Sequence, residues 1–366
     1  MKKIIAVMLC LVMVLAIAAK VDETKAETKV YNVAHLVNGN LGDKSFFDSA
    51  ESGLKALEEA GRIKHKTIEM GGTDEDQPKW LETLYEVADS EEYDLIVCGT
   101  YQMPDYLKEV ADKYPDQKFA IYDDSTYVGQ SPNVVNITYR QNDMGYLIGV
   151  FAASMTSQTS VANINDKKVV GFVGGMDSPV IKDFLYGFLK GVQDTDPEVK
   201  VDTRYVNSYV DTATAKEMAL SMINDNGADI IWGVAGLSGN GAAEAAAETG
   251  KAWFIGVDSD QELTLPVDQR AVCLTSGLKN VGNSLIWLID ELDAGREHWG
   301  TEVNLGLNEG GVGVVTDKNF ATIAPQAVQD AVKAAQEAVA SGKIVVPSAI
   351  GDTTKGAETL RDSMMP

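Results

Sequence analysis

From Val30 onward the chain alternates short runs rich in β-branched residues with longer amphipathic stretches, and this alternation restricts its fold more than any other feature. β-branched side chains are stiff at χ1 and suit extended strands, whereas apolar residues spaced three and four apart suit one face of a helix. Strand and helix in turn build parallel sheets covered by helices, because each parallel strand needs a long crossover to reach its neighbour. Strands are predicted over residues 30–37, 66–70, 94–98, 118–122, 134–137, 168–173, 200–206, 229–234, 253–257, 271–276 and 313–315. Helices are predicted over 45–60, 77–90, 142–155, 180–193, 212–226, 239–248, 281–294 and 325–341.

The run 168–173, with its Gly174-Gly175 turn and the helix from Val180, restates the opening pattern of the 30–37 run. With 366 residues the chain exceeds the roughly 250 to 300 at which single cores stop growing. The expectation is therefore an α/β protein of two similar doubly wound, parallel-sheet lobes joined by a hinge.

Lys2 and Lys3 precede an apolar run from Ile4 to Ala19 that ends in small residues, the pattern of an export signal. Cleavage after Ala18, Ala19 or Ala26 is expected, and the run falls short of the roughly 20 residues that span a membrane. Cys10 lies mid-run behind Leu9, which is not the placement of a lipid-accepting cysteine. Removing residues 1–26 takes away four lysines and two acids, moving the net charge from −23 to −25. So acidic a chain is a poor partner for nucleic acid. Cys98 and Cys273 sit in separate apolar runs, and two buried free thiols are expected over a disulfide. His35, His65 and His298 are scattered, so no metal site and no cofactor are expected. No nucleophile elbow, P-loop or His-Glu-x-x-His occurs, which favours binding over catalysis.

The stretch Gly42-Asp43-Lys44-Ser45-Phe46-Phe47-Asp48 follows a strand and opens a helix, where α/β proteins place ligands and where helix-terminal N–H groups face polar ligand atoms. Phe46 adds a flat apolar face there, or is the first core residue of the helix. Asp258 ends the strand Gly256-Val257-Asp258, where a carboxylate serves a ligand or caps the next helix. Gly236 lies where a side chain would crowd a ligand. Trp232, inside an apolar run, is either core or an aromatic platform.

With Val33 to Gly39 ahead of it and Ser49 to Leu54 behind, the opening segment resembles the basic membrane protein family, the PnrA-like nucleoside-binding proteins of ABC transporters. Four further segments carry the resemblance: Phe119-Ala120-Ile121-Tyr122-Asp123, Val169 to Met176, Ala235 to Gly241, and Ile255 to Gln261. The resemblance implies a type I periplasmic binding protein, with crossings near residues 138–142, 277–282 and 309–314. The lobes would comprise 27–140 with 280–311, and 141–279 with 312–366. It implies an exported monomer, not an enzyme, that captures a nucleoside, a purine one first, and delivers it to a membrane permease. A sugar ligand, or service to a chemoreceptor or kinase, is the alternative.

It assigns Phe46 and Tyr209 to stack on a base, and Asp258 and Lys279 to hold ribose hydroxyls. Asp123 faces the ligand, with Asp124 the alternative in a shifted register, and Gly236, Met176 and Asn38 join the site. Where family members carry two polar residues after the first strand this chain has Val37-Asn38, and loss of a carboxylate at Val37 is expected to relax base recognition.

Overall fold

The computed structural model describes residues 29–351 and 354–366. The expected signal segment, 1–26, lies outside the described residues. Among the described residues twelve strands form two six-stranded sheets. The first contains β1 (Tyr31–Val37), β2 (Ile63–Glu69), β3 (Leu95–Gly99), β4 (Lys118–Tyr122), β5 (Val134–Tyr139) and β11 (Glu302–Leu305), in the order β11-β5-β4-β3-β1-β2. The second contains β6 (Val169–Gly174), β7 (Lys200–Tyr205), β8 (Ile230–Val234), β9 (Trp253–Asp258), β10 (Cys273–Lys279) and β12 (Val312–Val314), in the order β12-β10-β9-β8-β6-β7. The first sheet is parallel throughout, with β11 joining β5 at its edge. In the second, only β12 runs antiparallel, against β10.

Burial follows position in the sheet. The central strands β3 and β8 are buried at every residue, as strands covered by helices on both faces must be, and their sequences LIVCG and IIWGV are apolar throughout. The edge strand β2 alternates instead, placing Lys64 and Lys66 outward, where charge discourages pairing with another edge. Cys98 and Cys273 are buried free thiols, one in each sheet.

The chain passes between the sheets three times. It leaves β5 for the helix Gln141–Thr156, which packs in the second lobe, and leaves β10 for the helix Val281–Asp293, which packs on the helix Phe46–Glu59 of the first. It then runs from β11 in the first sheet to β12 in the second.

The helices Gln141–Thr156 and Pro179–Thr195 form the most intimate helix contact, because each carries glycines four apart on the shared face. A Cβ at Gly187 would fall 2.0 Å from the Asn142 carbonyl oxygen, and one at Gly149 would fall 2.2 Å from that of Phe188. Backbone meets backbone there, and neither side can yield by rotating a side chain. The crossing fixes the start of the second helix, from which Val180, Ile181 and Phe184 reach the cavity described below. Gly187→Ala is expected to cost about 1–3 kcal/mol by overpacking. Urea unfolding checks it, and an unchanged midpoint would mean that the helices can move apart freely.

Candidate ligand-binding site

Both sheets share one order, with the second strand outside the first and the third inside it, so each has a switch point where successive connections diverge. Loops there leave the carboxyl ends of adjacent strands in opposite directions and open a crevice. The two crevices meet in one cavity. From the first lobe it is lined by Asn38 to Asn40 after β1, Thr100 to Gln102 after β3 and Asp123 after β4. From the second it is lined by Tyr209 and Val210 after β7, Val234 to Leu237 at and after β8, Asp258 on β9 and Lys279 on β10.

Asp123 and Asp258 hold equivalent places. Each follows four residues after a buried phenylalanine, Phe119 or Phe254, at the carboxyl end of the fourth strand of its sheet. Both adopt left-handed backbone, φ 69° and 63°, as does Thr100 at 75°. Non-glycine residues rarely enter this region, and such strain gathers where structure serves a site.

The segment before Phe46 departs from expectation in one respect. Its helix-start N–H groups do not face the cavity unpaired: the Asp43 carboxylate accepts from the N–H groups of Ser45, Phe47 and Asp48 at 3.0, 2.9 and 3.1 Å. Asp48 in turn accepts from Gly42 and Lys44. What faces the cavity is thus the Asp43 carboxyl group, with the Phe46 and Phe47 rings beside it. Phe46 is half-buried, with its ring centroid 5.4 Å from that of Tyr122, so it serves the cavity wall and the core edge together.

Charge is concentrated at Lys279. Its ammonium is 1% exposed and donates to Asp123 Oδ1 across the lobes at 2.5 Å. It also lies over the rings of Phe184, Tyr139 and Phe46, at 4.7, 5.4 and 5.5 Å from their centroids. Ring faces are electron-rich and attract a cation at such distances. Burial pushes the Asp258 carboxyl up to about 7, against the pull of Lys279 and of the Ser45 hydroxyl, which donates to it at 2.7 Å. Burial likewise raises Asp43 to about 6 despite its three N–H donors. Asp123 is raised for the same reason, with Lys279 opposing.

Asn38 forms a second polar patch. Its Nδ2 donates to Thr100 Oγ1 at 2.8 Å and to Gln102 Oε1 at 3.4 Å, while its buried Oδ1 has no protein partner among the described residues. Tyr209 crosses toward the first lobe, its hydroxyl 3.4 Å from that of Tyr101. Its ring occupies the space a Cβ at Gly175 would need, at 2.3 Å, which is why that turn carries a glycine. Gly236 has φ 53°, whereas a Cβ there would meet nothing closer than 3.6 Å. Backbone conformation, not crowding, is the reason for this glycine.

The structure thus brings Asn38, Phe46, Asp123, Tyr209, Gly236, Asp258 and Lys279 to one cavity. It leaves out three expected positions. Trp232 is wholly buried among Phe172, Phe184 and Phe188, with Nε1 donating to the Gly256 carbonyl, so it is core. Met176 is half-buried beyond the lining, behind the Gly175 turn. Val37 is buried in β1 and does not line the cavity, so the specificity expected from it has no geometric basis. Asp124 turns away to Thr126, and it is Asp123 that lines the cavity.

Thr100, Tyr101, Gln102 and Phe184 also line the cavity and were not anticipated. The first three follow a predicted strand at the switch point and were open to that rule. Phe184 sits at an ordinary apolar position of its helix, with nothing local to mark it.

Fold and cavity together define a two-lobed solute-binding protein. The chain belongs to the family of ABC transporter substrate-binding proteins, PnrA-like, whose model matches residues 30–349. Basic membrane protein A of Borreliella burgdorferi is 31% identical over 291 residues, covering 79% of this chain and 80% of that protein. The ABC transporter nucleoside-binding protein BmpA of Lactococcus lactis subsp. cremoris is 31% identical over 322 residues, covering 84% and 86%. Among solved structures, an ABC transporter solute-binding protein from Aeropyrum pernix superposes with a TM-score of 0.73 at 26% identity, covering 92% of this chain and all of that one. A carbohydrate transporter solute-binding protein from Agrobacterium radiobacter in complex with D-arabinose shares the fold, with a TM-score of 0.57 at 16% identity, covering 83% of this chain and 99% of that one.

Asp258 gives a pH signature. Its folded value of about 7 stands above the ordinary 3.8, so between those values the folded state binds more protons than the unfolded chain. Its contribution to stability therefore falls as pH rises through this window and levels off above about 7. Asp258→Asn removes the titration, and relative to wild type the variant should gain stability from pH 5 to pH 8. Urea midpoints at both pH values check this; a constant gap would place Asp258 at an ordinary carboxylate value.

Proposed function

We propose that this chain is an exported binding protein that closes on a nucleoside, a purine nucleoside first, and delivers it to a membrane permease. The observation that carries the reading is the pairing of aromatic faces from both lobes, Phe46 and Tyr209, with the buried group Asp123, Asp258 and Lys279. A base offers two flat faces and a ribose offers adjacent hydroxyls. Stacking contributes roughly 1–3 kcal/mol per base, and a hydrogen bond to a charged group about 1.5–3 kcal/mol. The Asn38 amide would read the base edge, its unpartnered oxygen accepting from a base N–H. The name of the Lactococcus relative supports the same ligand class.

In this reading the chain acts as a monomer outside the cytoplasm and catalyses no reaction. Its lobes comprise residues 27–140 with 280–311, and 141–279 with 312–366, each organised on one sheet and free to close by hinge motion. Among the described residues no helix is long and apolar enough to cross a membrane.

Titration calorimetry with inosine, adenosine, uridine and D-ribose tests the proposal. A purine nucleoside should bind far more tightly than ribose, because ribose alone cannot use the aromatic faces; ribose binding as tightly as inosine would sink it. Asp258→Ala is expected to weaken inosine binding at least tenfold with the fold intact. For Phe46→Ala we expect a loss of roughly 1–3 kcal/mol of binding. A collapse of thermal stability with affinity unaltered would instead make Phe46 a core residue only.

A further inference from the structure

We infer that Ser45, Asn240 and Ser259 form a clasp between the lobes that holds them closed without touching the ligand. The inference rests on the proposed capture of ligand between the lobes. None of the three lines the cavity. Ser45 opens the first helix of the first lobe, and its hydroxyl reaches across to Asp258 Oδ2 at 2.7 Å, with the Val257 carbonyl at 3.2 Å. The Ser259 hydroxyl of the second lobe donates back to the Ser45 carbonyl at 2.8 Å. Beside them Asn240 Nδ2 donates to the Asp43 carbonyl at 3.3 Å.

One short stretch of the first lobe, residues 43–45, is therefore gripped from two separate places in the second, the start of the helix Gly239–Thr249 and the loop after β9. The grip is itself braced. Gln261 Nε2 donates to Asn240 Oδ1 at 3.4 Å and Gln261 Oε1 accepts from the Val257 N–H at 3.1 Å, so one buried side chain orients Asn240 and ties it to the β9 end. Asn240 and Ser259 belong to the segments Ala235 to Gly241 and Ile255 to Gln261, and only Ala235, Gly236, Leu237 and Asp258 of those segments face the cavity. The clasp gives Asn240, Ser259 and Gln261 a task. Bonds that exist only when the lobes meet favour the closed form, and a ligand held in a form populated more often leaves more slowly.

Ser259→Ala and Asn240→Ala test this, with Ser259→Thr as the hydroxyl-retaining control. Lobe separation is measured with one fluorophore per lobe, on Val128→Cys and Leu263→Cys, both exposed positions; Cys98 and Cys273 are buried and escape labelling. Both alanine variants should shift the separation toward the open form, and inosine should dissociate about three- to tenfold faster with little change in association. Ser259→Thr should behave as wild type. An unchanged separation in both alanine variants overturns the clasp, as does a threonine variant that behaves like alanine. If wild-type protein does not bind inosine, the nucleoside reading fails, and the separation measurement still decides the clasp by the same outcomes.

Discussion

A buried ammonium must be compensated, and Lys279 imposes that demand on both lobes at once. An uncompensated charge at 1% exposure would cost several kcal/mol in lost hydration. The compensation comes from Asp123 across the cleft, from Asp258 within its own lobe, and from three ring faces drawn from Phe46, Tyr139 and Phe184. The same groups define the cavity. Phe46 is a wall partly because an ammonium lies over its ring, and Asp123 reaches the cleft because it ends its strand in left-handed backbone.

The duplication of the fold explains why these groups converge. Each sheet carries its fourth strand to an aspartate, and placing two such sheets end against end sets Asp123 and Asp258 against one cation between them. Two buried carboxyl groups and one ammonium cannot all be ionised without cost, since like charges raise one another's proton affinity. Burial is the main reason that Asp258 is raised, and the neighbouring carboxyl groups of Asp123 and Asp43 add to it.

Much of this was legible in the sequence, for physical reasons that differ by element. β4 was read to the residue because Lys118–Tyr122 is a compact apolar run ended by a charged pair. β11 escaped because Glu302–Leu305 has a single β-branched residue and becomes a strand only through pairing with β5. Asp258 was legible because a charged residue at the end of a buried run stands out, whereas Asp123 and Lys279 entered through the family resemblance. Thr100 and Phe184 do not stand out: one is a small polar residue in a loop, the other an apolar residue on an apolar helix face. Trp232 stayed open in the sequence because aromatic chemistry alone cannot distinguish a platform from a core, and its position between three phenylalanines decides.

Closure and charge are consequently coupled. Lys279 and Asp258 belong to the second sheet, whereas Asp123, Ser45 and Phe46 come from the first lobe. Any separation that breaks the 2.5 Å contact takes from Lys279 its closest partner and draws away the first-lobe rings of Phe46 and Tyr139. Asp258, held up to about 7 mainly by burial, sits in the same sheet as Lys279 and so stays beside it whatever the position of Asp123. The second lobe thus keeps a carboxyl group of its own beside its lysine.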